Sequence, residues 1–200
     1  PIWNPEFFGN TIMVNGNTWP FQPVEKRRYR FRFLNGCQSR FLILDFSGIP
    51  GVEVWQVGNE GGFLAAPVNL TQANQNRMLM GLAERADVIV DFTNVPQGNH
   101  VLYNLGPDEP FGGGVPGVDF DPADSESTGQ VMRFHVGPAL APDPTTPPGF
   151  LVLPARPRSC GTSRRGFGTR ASTPLSSTRP AVRAGRAWSL EDRGRTTSPP

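Results

Sequence analysis

Short apolar segments separated by turn residues run along this chain, and in one of them the apolar residues recur at every second position. Tyr29, Phe31 and Phe33 alternate with Arg30 and Arg32, the pattern of a strand with one face in a core and the other in water. A polar break at Asn35-Gly36 follows, then a second apolar strand from Phe41 to Phe46. The same reading predicts strands over Thr11 to Val14, Trp19 to Val24, Val52 to Val57, Arg77 to Leu82, Ala86 to Phe92, His100 to Leu105 and Gln130 to Val136. Asn15-Gly16 is a hairpin signal directly after the first of them. Pro20 and Pro23 place the next at a sheet edge. Asn59-Glu60-Gly61-Gly62 reads as a tight turn. No segment sustains a helical period. Regularly spaced short strands with turn residues between them predict an antiparallel sandwich or barrel.

Composition divides the chain. Residues 106–128 are rich in Gly, Pro, Asp and Ser, with Phe111-Gly112-Gly113-Gly114 at their centre, and predict a long loop before the last strand. Pro138 to Pro148 holds five prolines and one charge, Asp143, as a semi-rigid linker would. After Ala155 the large apolar residues are Phe167, Leu175, Val182, Trp188 and Leu190. Such a segment buries too little to offset the entropy of ordering it, so a disordered tail is expected. Charge splits at the same place. Up to Ala155 nine Lys and Arg face fifteen Asp and Glu, whereas ten Arg face Glu191 and Asp192 beyond it. A basic arm for nucleic acid or anionic membrane is one reading of the tail, and an ordinary disordered tail another. The arginines are scattered and unaccompanied by lysine, which favours a third, an out-of-frame translation of a GC-rich coding region. The organisation expected is a domain over 1–137, a Pro-rich linker over 138–155 and an Arg/Ser/Pro-rich tail over 156–200. No apolar stretch is long enough to cross a bilayer. The opening Pro1-Ile2-Trp3-Asn4-Pro5 lacks a signal-peptide pattern and reads as internal to a longer protein.

Few residues carry metal or redox chemistry. A blue copper centre takes two His, one Cys and a weak axial Met. Cys37 has no His within sixty residues, His135 has Met132 nearby but no Cys, and His100 stands by itself. Cys37 reads as a small buried apolar residue. With Cys160 in the tail, the two cysteines form no disulfide framework. Glu84 and Asp87 admit a general acid-base reading. The structural reading is preferred: Arg85 between them would bond carboxylates and loop carbonyls ahead of a core strand. Asn69-Leu70-Thr71 fits a glycosylation sequon. No catalytic, cofactor-binding or metal-ligating residue is therefore expected within this chain.

Four segments resemble one family. They are Pro5 to Gly16 (PEFFGNTIMVNG), Tyr29 to Leu44 (YRFRFLNGCQSRFLIL), Val57 to Leu64 (VGNEGGFL) and Leu82 to Phe92 (LAERADVIVDF). In order and spacing they are similar to the central domain of the multicopper oxidases, the laccase, bilirubin oxidase and spore-coat oxidase group. The resemblance covers about residues 5–137 and ends before the tail. It implies an all-β, cupredoxin-like Greek-key β-sandwich that bridges a first and a third cupredoxin domain and is normally copper-free. It implies copper in the full parent, none bound by this chain, and a parent that oxidises phenolic or bilirubin-like donors while reducing oxygen to water. It also suggests a secreted, periplasmic or spore-coat setting. The trinuclear oxygen-reducing site of the family uses His-x-His pairs, and this chain has none. The alternative is a copper-less cupredoxin-like structural or cell-division scaffold. A nucleic-acid partner would act through the tail, and none is expected.

Overall fold

The computed structural model describes residues 5–154 and the backbone of a strand at 187–193. The elements are β1 (Thr11–Val14), β2 (Asn17–Thr18), β3 (Phe21–Glu25), β4 (Arg28–Asn35), β5 (Leu42–Asp45), β6 (Glu53–Asn59), β7 (Gly62–Asn69), α1 (Leu70–Ala73), β8 (Arg77–Met80), β9 (Arg85–Asp91), β10 (Gly98–Asn104), β11 (Gln130–Gly137) and β12 (Ala187–Arg193). They form two sheets, ordered β2-β1-β12-β4-β9-β6-β7 and β3-β11-β10-β5-β8. Nine of these strands lie where the apolar segments and turn residues predicted them, with ends shifted by a residue or two.

The two sheets bury one shared core. On β4, Phe31 and Phe33 turn inward and Arg32 outward, as the period of two requires. β9 does the same with Ala86, Val88 and Val90. From the facing sheet come Leu42, Leu44, Leu102 and Phe134. Phe134 meets Phe92 at 5.0 Å and Phe31 at 5.7 Å between ring centroids, tying the sheets together by tilted aromatic pairs. The β1–β2 hairpin turns on Asn15 and Gly16, both at positive φ (50° and 80°), the conformation that makes Asn-Gly a turn signal.

Besides β2, the two-residue return of the β1 hairpin, three elements were not read from the pattern. β7 runs Gly-Phe-Leu-Ala-Ala-Pro-Val-Asn, without alternation, and only its ends pair in register with β6. α1 is a single turn, too short to show a helical period. Its N-cap is Asn69, whose side chain accepts the Gln72 N–H at 3.3 Å. The sequon asparagine is thus engaged locally, and Thr71 Oγ1 accepts the Val54 N–H at 3.1 Å.

β12 is the third. A tail without ordered structure was expected over 156–200, yet residues 187–193 enter the larger sheet between β1 and β4. The physical reason lies in the neighbours. β1 and β4 each offer a ladder edge there, and residues 187–193 pair with both. The rest of that expectation, over 156–186 and 194–200, falls outside the described residues, as does Cys160.

Candidate functional site

The residues that could ligate copper are dispersed. His135 lies opposite Asn99 in the β10–β11 ladder, and its Nδ1–H donates to Asn99 Oδ1 at 2.9 Å. His100 is one step along and opposite Phe134, so it belongs to the other face of the same sheet. Its Nε2–H donates to the Pro96 carbonyl at 2.8 Å. Met132 is buried among core residues, on the face away from His135. Cys37 is buried between β4 and β5 and lies in the core cluster. Imidazoles on opposite faces of one sheet cannot share an ion with a thiol in the core. Among the described residues no three His, Cys, Asp or Glu side chains converge on a metal-sized space. These residues do not fit a copper centre.

The Glu84–Asp87 group is structural in its contacts. Asp87 pairs in two-pronged fashion with Arg30, whose Nε donates to Oδ1 at 2.7 Å and whose Nη2 meets Oδ2. That hydrogen bond is the main reason the Arg30 guanidinium is held above its ordinary pKa, against partial burial. Arg30 also lies 5.3 Å from the Phe63 ring centroid. Glu84 Oε2 accepts the Gly81 N–H at 2.7 Å. Arg85 donates to the Ala83 carbonyl at 2.8 Å and pairs with Glu60 at 2.6 Å, the partners expected of it. Its side chain is 56% exposed, however, so the pair lies in water rather than in buried surroundings.

A buried polar hub stands in the Leu34-Asn35-Gly36-Cys37-Gln38-Ser39-Arg40 turn instead. Asn35 Nδ2 donates to the carbonyls of Arg40 (2.9 Å) and Met80 (3.1 Å), and its Oδ1 accepts the Cys37 N–H at 3.0 Å. Its backbone exchanges bonds with Ala83 and Glu84. Arg40 is fully buried. Its guanidinium pairs with Asp108, donates to the carbonyls of Gly9 and Pro107, and faces the Phe8 ring at 5.6 Å. One fork thereby joins the amino-terminal segment, the β4–β5 turn and the long 106–128 loop. Sequence reasoning missed Arg40, because nothing local distinguishes a buried arginine from a solvated one. The loop it anchors carries Phe111 and Phe120, which with Phe41 form a half-buried aromatic run at 5.4 and 5.5 Å. Between β6, β9 and β8 a cavity of about 220 Å³ is lined by Gln56, Glu60, Arg77 and Glu84 over Met78 and Met80. Typical ligand pockets start at about 300 Å³.

A second polar cluster fixes the segment after β11. Arg28 donates through Nε to Thr145 Oγ1 (2.9 Å) and through Nη2 to the Thr145 carbonyl (2.8 Å), and its N–H donates to Asp143 Oδ2 (2.9 Å). Burial works against ionisation of Asp143. The bonds from Arg28 and Thr145, with the Arg28 charge, outweigh it and hold the carboxyl below its ordinary pKa.

No family model matches the chain. Individual relatives do. It is 35% identical over 152 residues to the multicopper oxidase LPR1 homolog 1 of Oryza sativa subsp. japonica, covering 76% of this chain and 24% of that protein. It is 35% identical over 156 residues to the bilirubin oxidase of Albifimbria verrucaria, with the same coverages. The solved laccase-like multicopper oxidase CueO of Ochrobactrum sp. superposes on 78% of this chain and 30% of its own, with a TM-score of 0.55 and 25% identity. The chain belongs to the multicopper oxidase family. Its fold is the cupredoxin-like β-sandwich of that family, and the chain spans about a quarter of the length of the curated relatives it matches.

Proposed function

We propose that this chain supplies the copper-free central domain of a multicopper oxidase, a scaffold between a first and a third cupredoxin domain. In this reading residues 1–137 are the domain, 138–155 lead out of it, and 156–200 are foreign to the family. The full parent oxidises small phenolic or bilirubin-like donors and passes the electrons to oxygen, which leaves as water. Copper in that parent belongs to the flanking domains. One observation carries the reading: the two histidines of the chain lie on opposite faces of one sheet while Cys37 lies in the core. The buried fork of Arg40 supports a scaffold role, since it braces three segments and touches no solvent. Held by that fork, the aromatic 106–128 loop is the part of this domain suited to wall a donor cleft. The test is the coding sequence on both sides. His-x-His pairs upstream and a His-Cys-His segment downstream are expected. Their absence from an intact gene would overturn the oxidase reading in favour of a copper-less structural protein.

A further inference from the structure

The groove filled by β12 has an unusual place in the sheet. β12 is last in sequence but interior in order, with β1 on one side and β4 on the other. It pairs antiparallel with β1 from Thr11↔Arg193 to Val14↔Leu190, and parallel with β4 from Ala187↔Arg32 to Leu190↔Asn35. Without it, β1 would keep only two register pairs, both to β2, and β4 would present a bare edge from Arg32 to Asn35. The side chains of Ile12, Val14, Phe31 and Phe33 are buried, so both flanking strands are anchored to the core by their own residues. An ordinary sheet edge satisfies one side of a guest strand, whereas this groove satisfies both. The register sets residue 188 opposite Phe33 and residue 190 opposite both Val14 and Asn35, three acceptor residues that are themselves buried.

No hairpin binds β12 to either neighbour. More than 150 residues separate it from β4, and 32 residues lie between Pro154 and Ala187. A connection of that length can extend to on the order of 110 Å, so its length does not confine the strand to its own groove. Exchange of an identical element between copies conserves every contact of the single chain.

We propose that the β1–β4 groove is a strand-acceptor site that takes residues 187–193 from a second copy of the chain, forming a reciprocally exchanged dimer. The proposal does not depend on the oxidase reading. Refolding the full chain at about 5 µM and at about 500 µM, followed by sedimentation analysis, separates the outcomes, because intramolecular closure competes at an effective concentration of order millimolar. A dimer fraction at least about fivefold larger after the concentrated refolding is expected, by the same mass action. Leu190→Pro removes the N–H from the position that pairs on both sides and should abolish that dimer. A fluorescent peptide of residues 185–195 should bind the Leu190→Pro chain about tenfold or more tighter than the unaltered chain, whose groove is filled. A strictly monomeric unaltered chain under both conditions would overturn the proposal, and so would a dimer that survives in Leu190→Pro. If Leu190→Pro loses the amide protection of β10 and β11, the refolding experiment on the unaltered chain decides alone.

Discussion

Replacing Arg40 by alanine tests whether the hub braces the domain. The guanidinium is fully buried and ties its own β4–β5 turn to Gly9 of the amino-terminal segment and to Pro107 and Asp108 of the 106–128 loop. Breaking one partner out of a buried ion pair typically costs about 3–5 kcal/mol. Asp108 is 46% exposed and also accepts a hydrogen bond from Thr128 Oγ1 at 2.6 Å, so water and threonine absorb part of the loss. Removal of the donor to Gly9 and the space left against Phe8 each add about 1 kcal/mol. A loss of about 3 kcal/mol follows, at the lower end of the range for broken buried pairs. At an m-value of about 2 kcal/mol/M the urea midpoint falls by about 1.5 M. Arg85→Ala is the control, because its exposed pair with Glu60 is worth at most about 1 kcal/mol. Arg40→Lys keeps the charge but not the fork, and should fall between the two. An Arg40→Ala midpoint no lower than that of Arg85→Ala would refute the reasoning.

Other perturbations follow from the same contacts. Gly106→Ala drives a Cβ into the Phe41 carbonyl oxygen and should cost about 1–3 kcal/mol in urea denaturation. Asn35→Ala strips a buried amide from three backbone partners and should speed hydrogen exchange at Cys37 before exchange at β10 and β11. Asp143 has a depressed folded-state pKa. Its contribution is therefore complete above the ordinary carboxylate range, fades as pH falls through the lower folded value, and is absent in Asp143→Asn; the Arg28 amide signal reads this in an acid titration.

Much of the fold was legible because burial writes period two into strands such as β4 and β9. The misses share a cause. β7 reads Leu-Ala-Ala-Pro through its middle, where the strand departs from its partner and no alternating face exists to be read. β12 is seven residues in an Arg-rich tail, and what makes it a strand is a pair of edges more than 150 residues earlier. Arg40 was hidden for the same reason. Its burial depends on Gly9 and Asp108, neither close in sequence, whereas Arg85 announced its local role and turned out to lie in water. The sequence distance of Cys37 from both histidines could be read from spacing alone. The opposed faces of His100 and His135 required the β10–β11 register.

The central claim, a multicopper oxidase domain that carries no copper of its own, is tested most directly by metal analysis of the purified chain. The chain is offered copper, dialysed against a mild chelator and measured by elemental analysis with a visible spectrum. The expected result is no stoichiometric copper and no intense thiolate charge-transfer band, since that band needs a Cys and two His on one ion. One tightly held copper per chain, with strong red-region absorption lost in Cys37→Ser, would contradict the account.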